Sequence, residues 1–193
     1  MAIKLKSNSA YDGQLQETNT AARQYYLPNN DSGLGTQLMT SQATTSGTNI
    51  DFNNIPSWVK RITVMFNAVS TNGSSYVQIQ LGTAGGVENT GYNSGAVIAT
   101  SASAFSNNVT TGFVTGVGNN SGATASRHGA YTLYLLGSNT WVGYGNIHES
   151  VLYQLGAQCA GSKTLAGTLS QVRITTVNGT DVFDAGSINV MYE

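Results

Sequence analysis

The chain has 193 residues and a net charge of −1, and only 9% of its residues are charged, against about 25% in an average soluble protein. Its 8 Lys and Arg are scattered, which excludes the basic face that nucleic acid or an anionic membrane requires. A single cysteine, Cys159, excludes an intrachain disulfide framework and a cysteine-based zinc site.

Gly, Ser, Thr and Asn fill the place of the missing charges. Strong helix formers such as Glu, Lys and Arg are scarce, while β-branched and aromatic residues are plentiful. With an apolar fraction of 40%, the composition predicts an ordered all-β protein with many Gly, Asn and Ser turns.

The first stretch, residues 1–49, gathers Lys4, Lys6, Asp12, Glu17, Arg23 and Asp31 but shows little apolar alternation. It reads as an extended N-terminal segment with a short strand at Tyr25–Leu27, a Pro-Asn-Asn-Asp turn, and a flexible polar connector, TSQATTSGTN. From Ile50 to Glu193 strands follow one another. In RITVMFNAV, Ile62, Val64 and Phe66 share one face, and in YVQIQLG so do Val77, Ile79 and Leu81. Asn72-Gly73 between them, and Asn178-Gly179 between QVRITTV and TDVFDAG, predict type I′ hairpins.

GAVIAT, GFVTGV, YTLYLLG, TWVGYG, VLYQLG and a closing strand with Ile188, Val190 and Tyr192 on one face complete roughly nine or ten strands. The expected architecture is an antiparallel β-sandwich, jelly-roll-like, with one inward face per strand. Trp58, Trp141 and Cys159 read as packing residues.

No motif points to catalysis, a metal or a cofactor. His128 and His148 lack ligand spacing, there is no GxSxG elbow, and the acidic residues single out no carboxylate pair. Two polar, Gly-rich runs, Gly82–Gly95 and Thr115–Gly129, read as long loops and hence as the candidate recognition surface. Within them Tyr92 offers a flat face for stacking, Asn93, Asn119 and Asn120 offer amides, and Arg127 with His128 could meet an acidic group.

Three stretches carry a resemblance: IDFNNIPSWVKRITVMFNAVSTNGSSYVQIQLGTAGG, the closing VRITTVNGTDVFDAGSINVMYE, and ARQYYLPNNDSG near the start. Together they resemble a β-domain of tailed-bacteriophage tail fibres and virion surfaces, over about residues 15–193. The resemblance implies a non-enzymatic virion structural protein, a tail-fibre or receptor-binding module. It also implies a homotrimer that contacts other virion proteins through residues 1–49 and a host surface glycan or protein through its loops. A capsid decoration or head-fibre protein is the first alternative and a polysaccharide depolymerase the second. MAIKLKSNSA has no apolar signal region and YTLYLL is too short to span a bilayer. With these features the resemblance implies location on the virion, assembled in the host cytoplasm, without membrane insertion.

Overall fold

The structure, a computed structural model, describes residues 3–4, 14–15, 35–99, 104–116, 123–150 and 155–193. The chain divides into two units, Met1–Leu34 and Gly35–Glu193. In the first, β1 (Ile3–Lys4) and β2 (Gln14–Leu15) pair antiparallel.

The second unit is all-β, with no helix among the described residues. Its strands are β3 (Gln37–Leu38), β4 (Gln42–Ala43), β5 (Asn49–Asn53), β6 (Arg61–Thr71), β7 (Val77–Thr83), β8 (Gly86–Glu88) and β9 (Tyr92–Ala99). They continue with β10 (Ala104–Val109), β11 (Phe113–Val114), β12 (Arg127–Gly137), β13 (Thr140–Glu149), β14 (Leu155–Thr164), β15 (Gln171–Thr176) and β16 (Phe183–Tyr192). Nine of them form one antiparallel sheet in the order β10-β9-β14-β13-β12-β6-β16-β3, with β4 also on β16; five form a second, β11-β7-β15-β5, with β8 on β7. The count exceeds the nine or ten expected because several strands are two or three residues long and carry no alternation to read.

The two sheets share one core. Ile62, Val64, Tyr131, Leu133, Ile147, Ile188 and Val190 of the large sheet and Phe52, Val77, Ile79, Leu81, Phe113, Val172 and Ile174 of the small one belong to a single buried cluster. Each such side chain contributes about 1.5–3 kcal/mol by leaving water, so the expected inward faces are the ones the fold buries. Trp141 and Cys159 are buried with them, and Trp58 packs against the edge of the cluster beside Tyr192, ring centroids 5.8 Å apart. Two glycines inside β13 make room for Tyr131. A Cβ on Gly143 or Gly145 would come within 2.8 or 2.7 Å of the Tyr131 ring, and the Tyr131 hydroxyl donates to the Gly143 carbonyl at 3.2 Å.

The two Asn-Gly turns are not hairpins. β6 and β16 lie in the large sheet and β7 and β15 in the small one, so each turn carries the chain from one sheet to the other. The two crossings are tied together: Asn72 exchanges hydrogen bonds with Val182, and Asp181 accepts from the Ser75 backbone amide at 2.9 Å and the Asn178 side-chain amide at 2.6 Å. Asn and Asp here bind neighbouring backbone rather than closing a two-residue hairpin. Ser138-Asn139 between β12 and β13 does form a tight hairpin, both residues at positive φ (46° and 62°), as a type I′ turn demands.

The polar run read as a connector is fixed in place. β4 pairs with β16, the Thr44 side chain is buried, and its hydroxyl donates to the Ala185 carbonyl at 2.6 Å. The compact unit accordingly begins at Gly35.

Candidate functional site

The outer face of the large sheet is built from rows of cross-strand neighbours. One row runs Thr63, Thr132, Tyr144, Ala160, Gly95, Asn108 across β6, β12, β13, β14, β9 and β10. The row on one side of it carries Met65, Ala130, Asn146, Gln158, Val97 and Ser106, and the row on the other carries Arg61, Tyr134, Val142, Ser162 and Asn93. Side chains in adjacent rows project from the same face, because alternate residues of a strand do.

The middle row is low where it matters. Ala160 and Gly95 leave a floor with almost no side chain, flanked by Tyr144, which is 57% exposed, and by Val97, 39% exposed. The result is a groove of about 540 Å³ over Gly95, Val97, Tyr144, Asn146, Gln158 and Ala160. It continues into a second hollow of about 490 Å³ lined by Asn93, Asn108, Ala160 and Ser162. Gly95 and Ala160 belong to both.

Tyr144 stacks on Tyr134, with ring centroids 6.2 Å apart and planes 18° from parallel. Stacking on a neighbour limits the rotamers of an exposed ring, so Tyr144 presents a fixed apolar wall with a polar tip. Across the floor, the amides of Asn93, Asn108, Asn146 and Gln158 are exposed, each offering both donors and an acceptor. Asn107 closes the far side and is occupied by the fold: it accepts from the Ala96 amide at 3.0 Å and donates to the Gly116 carbonyl at 2.7 Å. No lining residue is charged. The guanidinium of Arg61, one row end away, pairs with Glu193 at 2.7 Å.

Of the residues singled out from the sequence that the structure describes, all but one lie elsewhere. Asn93 lies in the groove. Asn119 and Asn120 lie outside the described residues. Tyr92 is not a loop residue but the first residue of β9, 3% exposed; its hydroxyl accepts from the Leu81 amide at 2.7 Å and donates to the Glu88 carbonyl at 2.8 Å, and its ring meets Phe113 edge-on at 5.2 Å. Most of Gly82–Gly95 is likewise no loop, since β8 turns straight back on β7 and β9 follows. Arg127 has no exposed side-chain surface and donates from Nε to Oε1 of equally buried Glu149 at 3.0 Å. Glu149 is itself pushed up from the ordinary carboxylate range by burial, against the pull of Arg127.

His128 is half-buried and anchors the backbone. Its Nδ1 accepts from the Ala68 amide at 3.3 Å, at a bulge of β6 where Ala68 has φ 53°. Gly186 of β16 faces this bulge at φ +95°, where a Cβ would run into the Ala68 carbonyl. With Nδ1 accepting, the ring proton sits on Nε2 and points to Ser126 Oγ at 3.2 Å. That polarity is the reverse of a histidine that takes a proton from a serine nucleophile, whose Nδ1–H must donate to a carboxylate. Among the described residues no group of three His, Cys, Asp or Glu is placed to hold a metal.

Over the ring of Tyr92 lies a further ion pair. Lys163 Nζ meets Glu88 Oε2 at 2.6 Å, donates to the Thr90 carbonyl at 2.9 Å, and sits 5.3 Å from the Tyr92 ring centre. Partial burial pushes the Glu88 carboxyl up, but Lys163 and the Ala166 amide outweigh it and hold it below its ordinary 4.5. A carboxylate with a lowered folded pKa adds stability above its unfolded value and loses it as pH falls through the folded one. The melting temperature of Glu88→Gln should therefore lie below that of the parent at pH 6 and converge on it as the pH falls below 4.5. A constant gap across that range contradicts the assignment.

The sequence reading missed Tyr144, Asn146, Gln158 and Ala160. The signal for Tyr144 was present: if Trp141 of TWVGYG faces the core, period-two alternation turns Tyr144 outward. β14 carried less signal, because Ala157 and Cys159 alternate with Gln158 and Ala160 without a large apolar residue among them.

Comparison of the chain with family models, with curated proteins and with solved structures finds no match.

Proposed function

We propose that the protein is a non-enzymatic bacteriophage virion structural protein, a tail-fibre or receptor-binding module that attaches to a host surface glycan through the groove on its large sheet. The observation that carries the glycan reading is the groove's lining: one fixed tyrosine wall, a floor of Ala160 and Gly95, and exposed amides without a charge. An apolar ring face with a polar edge matches the two chemistries of a sugar ring, its C–H face and its hydroxyls. The virion reading rests on the resemblance of the strand and closing motifs to phage fibre domains. It includes assembly as a homotrimer, with the N-terminal unit joined to other virion proteins.

Tyr144→Ala tests the glycan reading. Its side chain lies outside the core, so the variant should lose less than about 0.5 kcal/mol of stability while binding of the labelled protein to susceptible bacteria falls at least tenfold. Binding equal to the parent's would move recognition away from this face. Light scattering of the full chain should return three times the chain mass, and a monomer at micromolar concentration would contradict the trimer.

A further inference from the structure

We infer that the groove holds an internal segment of an uncharged polysaccharide chain, rather than a chain end or an acidic sugar; this deepens the glycan reading and rests on it. Three observations support it together.

The first is the groove's direction. Its two hollows are joined over the Gly95–Ala160 pair and run along β9 and β14, from Asn93 and Ser162 at one end to Val97 and Gln158 at the other. Asn93 to Val97 is four residue steps, or about 13 Å of strand. That length suits several linked sugars lying along the strands.

The second is the absence of end walls among the described residues. A site for a chain terminus needs a residue that stops the chain and satisfies the extra hydroxyl there. Here each end is formed by short or amide side chains in line with the strands. Among the described residues Val97 and Gln158 stand at one end and Asn93 and Ser162 at the other, and the one tall side chain, Tyr144, flanks the path instead of blocking it.

The third is charge. A site selecting carboxylated or phosphorylated sugars would present Arg or Lys, which bind such groups with two parallel hydrogen bonds or as a point charge. Neither residue lines either hollow, and Arg61 is neutralised by Glu193. An acidic sugar would lose its hydration there without a cationic partner, which costs free energy. Asn and Gln, donor and acceptor at once, match hydroxyl and N-acetyl groups.

The test uses the full chain and an array of uncharged hexasaccharides: cello-, malto-, manno-, galacto- and chito-oligosaccharides. Each is displayed free, blocked at the non-reducing end, and carboxylated at the primary hydroxyls. The expected result is binding to at least one uncharged series. Affinity should rise at least tenfold from the disaccharide to the tetrasaccharide, be unchanged by end-blocking, and fall at least tenfold on carboxylation. Ala160→Leu, which raises the floor where the hollows join, should abolish binding of the hexasaccharide with an unchanged melting curve. Gln158→Ala should weaken it several-fold with the same control. Loss of binding on end-blocking, or tighter binding after carboxylation, overturns the inference and leaves the glycan reading standing. Absence of binding to every glycan overturns both. If Tyr144→Ala and Ala160→Leu instead convert a trimer to monomers, this face is covered by a second copy of the chain and the inference also fails.

Discussion

Arg127→Ala is expected to destabilise the domain by about 3–5 kcal/mol, because it strands the Glu149 carboxylate in the interior. Both side chains have no exposed surface, and Glu149 is packed against the backbone of Gly116. The pair makes one good hydrogen bond, Nε to Oε1 at 3.0 Å, while both terminal nitrogens of Arg127 and Oε2 of Glu149 find no partner among the described residues. Such a pair recovers little of its own desolvation. Removing both charges should therefore do far less harm than removing one: Arg127→Met with Glu149→Leu is expected near or above the parent's stability. Urea unfolding of the two single variants and the double variant measures this directly. A loss under about 1 kcal/mol for Arg127→Ala would show the guanidinium to be solvated after all.

Tyr92→Ala is the second large effect, about 3–5 kcal/mol for a buried aromatic. The ring fills the space beside Phe113 and lies under Lys163, and the hydroxyl bridges β7 and β8 through the Leu81 amide and the Glu88 carbonyl. Tyr92→Phe keeps the packing and leaves the Leu81 amide without its partner, at about 1–3 kcal/mol. Thermal melts of both variants should rank Ala well below Phe and Phe below the parent. Equal melts for all three would put Tyr92 on the surface.

Both variants show how composition misleads about position. Arg127 and Tyr92 stand in polar, Gly-rich stretches that look like loops, yet each opens a strand and faces inward. The glycines and asparagines around them serve bulges, short returns and close strand approach. A window of sequence cannot show this when the residues opposite are distant in the chain, as Gly95 and Ala160 are.

Alternation made the core of β6, β7, β12, β15 and β16 legible, because each of these strands sets large apolar residues on one face. It did not reveal which sheet each strand joins. The Asn-Gly turns were read as hairpins because the local signal is the same whether the chain turns back or crosses over, and the difference lies in Asn72 binding Val182 and in Ser75, Asn178 and Asp181 binding one another. The groove was hidden for a related reason. Its floor is defined by missing side chains, and absence carries no pattern. The pairing of β4 with β16 also sets the useful truncation: a cut after Leu34 spares Thr44 and β4, whereas a cut at residue 48 removes both.

Recognition is proposed to occur on the open face of the large sheet. The most direct measurement is a backbone amide NMR titration of the full chain with the tightest-binding uncharged hexasaccharide from the array. Shifts concentrated on Tyr144, Gly95, Val97, Asn146, Gln158 and Ala160, lost in Tyr144→Ala, are the predicted result. Shifts confined to residues 117–122, to the Asn72 and Asn178 turns or to the small sheet would contradict it.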